Sequence, residues 1–221
     1  MQVTIVVVRL QQRDCGMSSM GFIRNTEAFL SVLKAVIKTT SHRFVLFSAG
    51  YEPLDTVIEM ISGASSSSNL SKQECSKGCT LLFDDQLLCF SGSIPYIWLF
   101  SRCAAAFHHG GSGSTAAALH AGIPQIICPF ILDQFYWAER LYWLGVAPQP
   151  LERQYVVPES NDAASIKKAS DMLSKAISLA LSPPIKKQAL EIAEKVSVED
   201  GVAEALKVLK EQAIFAAGDG N

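Results

Sequence analysis

One stretch constrains this chain more than any other: Ala104-Ala105-Ala106-Phe107-His108-His109-Gly110-Gly111-Ser112-Gly113-Ser114-Thr115-Ala116-Ala117-Ala118-Leu119. An apolar strand runs into glycines and hydroxyls, and these run into a helix of small residues. At such a junction the helix N-terminus presents N–H groups without intrahelical partners and the positive end of its dipole. Missing side chains let an anion approach the backbone, and Ser112 and Ser114 add hydroxyl donors. The spacing predicts an α/β fold with a phosphate or diphosphate held by Gly110, Gly111, Ser112, Gly113 and Ser114; the plainer alternative is a turn that serves packing alone. His108 is expected to face the ligand and His109 to pack behind it. A zinc pair is not expected, because adjacent strand residues point to opposite faces.

The rest of the chain alternates strand and helix. Strands are predicted at Thr4–Val8, Arg43–Ser48, Thr80–Phe83, Leu87–Phe90, Ala104–His108 and Gln125–Pro129. Helices are predicted over Thr26–Lys38, capped by Asn25, around Leu54–Ile61, from Ser112 to Ala121, and from Asp133 to Gly145. After Pro150 the pattern turns helical, near Ala163–Leu181, Pro184–Val196 and Glu199–Gln212. With no obvious hairpin turn, this implies a Rossmann-like, doubly wound parallel sheet over residues 1–150, with 151–221 as a tail of helices packing on the same domain. The Ser-rich segment 62–77 reads as a loop, because the strand–helix rhythm resumes beyond it.

Composition excludes several classes. The chain is 49% hydrophobic and only 18% charged, with mean hydropathy +0.22, which rules out disorder as its dominant state. Nineteen basic and 21 acidic residues leave a net −2, so bulk charge does not point to nucleic acid. No apolar stretch reaches a clean ~18 residues, so no transmembrane segment is expected, and the N-terminus lacks a signal-peptide pattern. Six scattered cysteines suggest reduced, buried thiols in a cytoplasmic protein. Cys75 and Cys79 lack a second half of ligand spacing, so no metal is expected. Low charge at this length suggests that some apolar surface belongs to a partner, a second domain or a membrane face.

Asp133-Gln134 follows the strand at Gln125, and together they offer acceptors and donors suited to sugar hydroxyls. Asp133 also suits a simple helix cap. Two successive strand ends, one fit for phosphate and one for hydroxyls, favour a nucleotide-sugar. A nicotinamide or flavin competes, because Gly111–Ala116 fits G-x-G-x-x-G/A and Asp133 lies 20 residues beyond Gly113. Against it, that fingerprint normally occupies the first strand–helix turn.

Residues 86–148 resemble the C-terminal donor-binding domain of UDP-glycosyltransferases with the GT-B fold, most closely the sterol 3-beta-glucosyltransferases and bacterial antibiotic-modifying enzymes. The resemblance rests on Phe107–Thr115, Ala121-Gly122-Ile123-Pro124-Gln125, Pro129-Phe130, Asp133-Gln134 and Leu144–Pro148. A looser likeness at Gly16–Gly21 matches the family's interface loop. The resemblance implies that His108 and Gly110–Ser114 hold the donor diphosphate, that Asp133 and Gln134 bind the sugar, and that Ile94, Pro95 and Tyr96 contact the base. Trp98-Leu99-Phe100 would pack behind the base, and Ser18 and Ser19 would lie at the domain interface. Tyr96, Leu132 (in place of a common Gly) and Ser114 depart from the family pattern.

It further implies hexose transfer, with glucose first, from a UDP-sugar to a sterol or other lipophilic hydroxyl, without cofactor or metal. Peripheral membrane contact is a further implied feature. The general base belongs to an acceptor domain that nothing before Gly16 supplies. The chain is therefore expected to be a donor half, inactive or weak alone; a non-catalytic nucleotide-sugar-binding subunit is the alternative.

Overall fold

The computed structural model describes residues 4–7, 23–48, 51–65 and 78–218. The interface-loop candidates Ser18 and Ser19 lie outside the described residues, as do Cys75 and residues 66–77.

Six strands form one sheet: β1 (Thr4–Val7), β2 (Arg43–Phe47), β3 (Cys79–Leu82), β4 (Leu87–Phe90), β5 (Ala105–His108) and β6 (Gln125–Ile127). Their spatial order is β3-β4-β2-β1-β5-β6. All neighbours pair in parallel except β3 and β4, which are antiparallel. The chain thus builds outward from β1 through β2 to β4, then returns to the other side of β1 for β5 and β6. That reversal creates the crevice at the carboxyl ends of the strands where ligands bind in such sheets. The antiparallel edge corrects the expectation that no hairpin is present. Its turn contains no glycine; Phe83, Asp84 and Asp85 take positive φ instead (57°, 55° and 60°). Aspartate tolerates this conformation better than most residues, so the turn carried no glycine signature to read.

Helices cover both faces. On one lie α1 (Thr26–Thr40), α2 (Glu52–Ser65) and α6 (Ala163–Ala180); on the other lie α3 (Tyr96–Phe100) and α4 (Ser112–His120). The start of the Ser-rich segment, 62–65, is therefore helical rather than loop. Asn25 caps α1 by accepting the Ala28 N–H at 3.0 Å, and its amide donates to Asn161 Oδ1 at 2.7 Å, tying α1 to the approach of α6. Asp162 caps α6 through the N–H groups of Ala164 and Ser165, both at 2.9 Å. A bond from the Ser160 hydroxyl, followed by those from Ser165 and Ala164, holds its carboxyl well below the usual range.

The apolar face of α1 (Phe29, Leu30, Val32, Leu33, Val36 and Ile37) is fully buried against Phe44, Leu46, Phe107 and Leu173. Each such side chain contributes about 1.5–3 kcal/mol.

Strand alternation decides which side chains reach α4. Ala105 and Phe107 belong to the α1 side, whereas Ala106 packs with Phe100 and Ala118 beneath α3 and α4. His108 shares the parity of Ala106. Gln125 pairs with Ala106 in register and has the parity of Ile127, opposite to Ile126. Helix α5 (Gln134–Trp143) packs Ala138 and Leu141 on Ile127, with Ala189 of α7 (Pro183–Ser197) in the same cluster. Leu190 and Ala193 of α7 meet Gly122, which ends α4 at φ +67°. Every residue of α8 (Gly201–Gly218) up to Gln212 is exposed.

Candidate donor site

The site lies where β5 and β6 end. Helix α4 begins with Gly111 as its cap residue, and no side chain caps it. The first bond back to Gly111 O comes from Thr115 N–H at 3.0 Å, so the N–H groups of Ser112, Gly113 and Ser114 have no partner within the helix. Ser112 and Gly113 are exposed and Ser114 is buried. Thr115, only 2% exposed in the same first turn, has a hydroxyl oxygen with no hydrogen-bond partner. Its signal in the sequence is a third hydroxyl directly after Ser112 and Ser114.

The three glycines do different work. Gly110 sits at φ +90°, and a Cβ there would lie 3.0 Å from both Gln134 O and Ile127 Cγ2. A Cβ on Gly111 would lie 2.4 Å from His109 Nε2, so the missing side chain there accommodates the histidine ring. Only at Gly113 does the absent Cβ open onto free space, with nothing within 4 Å. Of the three, Gly113 alone leaves open space beside its backbone.

His108, expected to face the ligand, is 0% exposed and shares the α4 side of the sheet with Ala106. Nδ1 accepts the Gly110 N–H at 3.0 Å, and Nε2 lies 2.8 Å from Gln125 Oε1. Burial pulls its pKa down to about 3; the Gln125 bond opposes the shift and nearby His109 adds to it. His109 is buried as well.

Asp133 is exposed at the start of α5, and its Oδ2 accepts the Trp137 indole N–H at 3.0 Å. It makes no capping bond to the helix backbone, so the plain capping role is not the one seen. Gln134 is turned inward. Its Oε1 accepts the N–H groups of Phe130 (2.9 Å) and Ile131 (3.2 Å), which fixes the loop that carries Asp133. Its carbonyl oxygen is thus taken up by the loop's own backbone. Leu132, directly before Asp133, is 79% exposed and stands at φ +53°, a conformation that favours glycine.

At the end of β4, Ile94 and Tyr96 are half-buried and Pro95 is exposed. Tyr96 stacks on Phe100 (centroids 5.1 Å apart), and Phe47 meets its edge. Leu99 and Phe100 are buried behind this segment, but Trp98 is exposed, with the Arg102 guanidinium 4.3 Å from its ring centroid. Beyond β6, a cavity of about 490 Å³ is lined by Phe130, Phe135, Leu151 and Arg153 among others. The described residues contain no cluster of metal-ligating side chains.

The family described as Erythromycin biosynthesis protein CIII-like, C-terminal domain, matches residues 88–209, more than half of the chain. The chain belongs to this family. A sterol 3-beta-glucosyltransferase of Arabidopsis thaliana is 40% identical over 112 residues, 51% of this chain and 16% of that protein. A sterol 3-beta-glucosyltransferase of Komagataella phaffii is 38% identical over 127 residues, covering 57% and 9%. The matched segment is thus a small part of these relatives.

Among solved structures, the glycosyltransferase of kitacinnamycin superposes with TM-score 0.60 at 16% identity, covering 96% of this chain and 43% of that one. The glycosyltransferase VinC, crystallised with dTDP, gives 0.57 at 21%, covering 96% and 41%. The EryCIII-like fold is that of the C-terminal half of GT-B glycosyltransferases. Family membership sets aside the nicotinamide reading, and so does topology: the glycine-rich turn follows β5, not β1.

Proposed function

We propose that this chain is the UDP-sugar-binding half of a glycosyltransferase that moves a hexose, glucose first, to a sterol or similar lipophilic hydroxyl. The observation that carries this reading is the uncapped N-terminus of α4, with its open approach at Gly113, set beside Asp133 at the next strand end. The N–H groups of Ser112, Gly113 and Ser114, with the hydroxyls of Ser112, Ser114 and Thr115, receive the diphosphate. Asp133 receives sugar hydroxyls on Oδ1 while Trp137 steadies Oδ2. Ile94, Pro95 and Tyr96 form the rim for the base, and Ser18 and Ser19 belong to the interface loop. Sterol and glucose are supported by the similarity to the Arabidopsis and Komagataella sterol 3-beta-glucosyltransferases.

Transfer passes through an oxocarbenium-like state while negative charge builds on the departing diphosphate. Donors fixed at the α4 N-terminus stabilise that charge, each worth about 3 kcal/mol. The acceptor hydroxyl needs a general base, which this reading assigns to the acceptor domain of the full enzyme. No cofactor or metal is invoked, and peripheral membrane contact follows only from the lipophilic acceptor.

Calorimetry with UDP, UDP-glucose and NADPH tests the proposal. UDP and UDP-glucose are expected to bind and NADPH is not. Asp133→Ala is expected to weaken UDP-glucose while leaving UDP unchanged. Tight NADPH binding without any UDP heat would overturn the reading.

A further inference from the structure

Three elements meet at one buried amide. Gln125 opens β6 and is 0% exposed, although the residues after it in that strand are apolar. Its backbone is pinned by its N–H to Val146 O at 3.0 Å, so its side chain projects from a fixed point. Beneath α4 it meets His108 of β5, and the protons can be assigned from the bonds. Gly110 N–H points at His108 Nδ1, so that nitrogen carries the lone pair. The ring's hydrogen is then on Nε2 and is donated to Gln125 Oε1 at 2.8 Å. This orients the amide, leaving Gln125 Nε2 to donate to Thr115 O at 3.5 Å.

Resting on the donor-site reading, we propose that Gln125 is a positioning residue for the diphosphate. Through His108 it fixes the Gly110 turn, and through Thr115 it fixes the first turn of α4. The groups bonded to the ring are uncharged: the Gln125 amide of β6 and the Gly110 N–H. Among the described residues, His109, at 6.5 Å between centroids, is the other titratable ring in contact.

The test uses the whole chain. Gln125→Met keeps the volume and removes both bonds. UDP affinity is expected to fall tenfold or more, beyond any effect of a lower Tm; Ile126→Val, on the opposite face of β6, is the control that lowers Tm while keeping wild-type affinity. Gln125→Glu, which restores the acceptor for His108, is expected to recover part of the loss. In wild type, nitrogen–proton NMR of the imidazole should show the proton on Nε2, unchanged from pH 8 to pH 5. Wild-type UDP affinity in Gln125→Met, or a His108 proton on Nδ1, would overturn the proposal. If Gln125→Met does not fold, the tautomer still decides. If wild type binds no UDP, the donor reading fails, while the His108 spectrum reports on the clamp independently.

Discussion

His108 and Leu132 show what single residues cost and supply in this fold. His108 is held neutral by burial, with a folded pKa of about 3 against an ordinary 6.5. A depressed pKa means that the unfolded chain takes up the proton first. The contribution of His108 to stability is therefore complete above about pH 6.5 and is lost progressively as pH falls toward 3. Thermal unfolding between pH 7 and pH 4 should show Tm falling, and His108→Gln should flatten that slope while lowering Tm at pH 7. A slope unchanged by the substitution would contradict this assignment. Leu132 works in the opposite direction. At φ +53° it bears a left-handed strain of about 1–2 kcal/mol, and its exposed side chain recovers little by packing. Leu132→Gly should stabilise the chain by about 1 kcal/mol after the entropy cost of glycine, read as a rise in denaturation midpoint.

At the scale of the element, α4 separates binding from stability. Gly113 is exposed in the first helical turn, with nothing within 4 Å of an added Cβ. Gly113→Ala should leave Tm unchanged or slightly raised, because alanine favours a helix by about 0.5–1 kcal/mol over glycine. The new methyl stands where the diphosphate must approach, so UDP affinity measured by calorimetry should fall at the same time. Equal affinity in the variant would place the anion elsewhere. The helix itself was readable, because glycine and serine before a run of alanines and Gly122 after it are strong punctuation. The assignment of roles along it was not. Whether a glycine faces a ligand or a neighbouring ring depends on His109 and Gln134, which lie outside the motif's own spacing. Gln125 was visible as a polar residue leading an apolar strand, but its partner His108 is 17 residues away, and only sheet register brings the two together. The edge hairpin was hidden for a different reason: its turn uses aspartates where glycine is the usual marker.

For the whole molecule, low charge points to apolar surface awaiting a partner. Exposed apolar side chains stand on Phe135, Tyr136 and Trp143 of α5, on Ile97 and Trp98 of α3, and along α8 at Val202, Leu206 and Leu209. Helix α8 is the extreme case. Its residues from 201 to 212 are all exposed, while α6 and α7 pack on the domain through Leu173, Ile177 and Ala189. A helical stretch that buries no face from 201 to 212 gains little there beyond its own backbone bonds and weak pairs such as Glu204–Lys207 at 3.5 Å, and an isolated helix of this length is marginal in water. Truncation after Asp200 should therefore leave Tm within about 2 °C of the full chain, since a shift of 4–8 °C corresponds to only ~1 kcal/mol in a domain smaller than this one. UDP affinity should be equally unaffected, because α4, β5 and β6 keep every bond described above. The truncated chain should also self-associate less, having lost the exposed Val202, Leu206 and Leu209, as light scattering would show. A large loss of Tm on truncation would mean that α8 packs on the domain in solution.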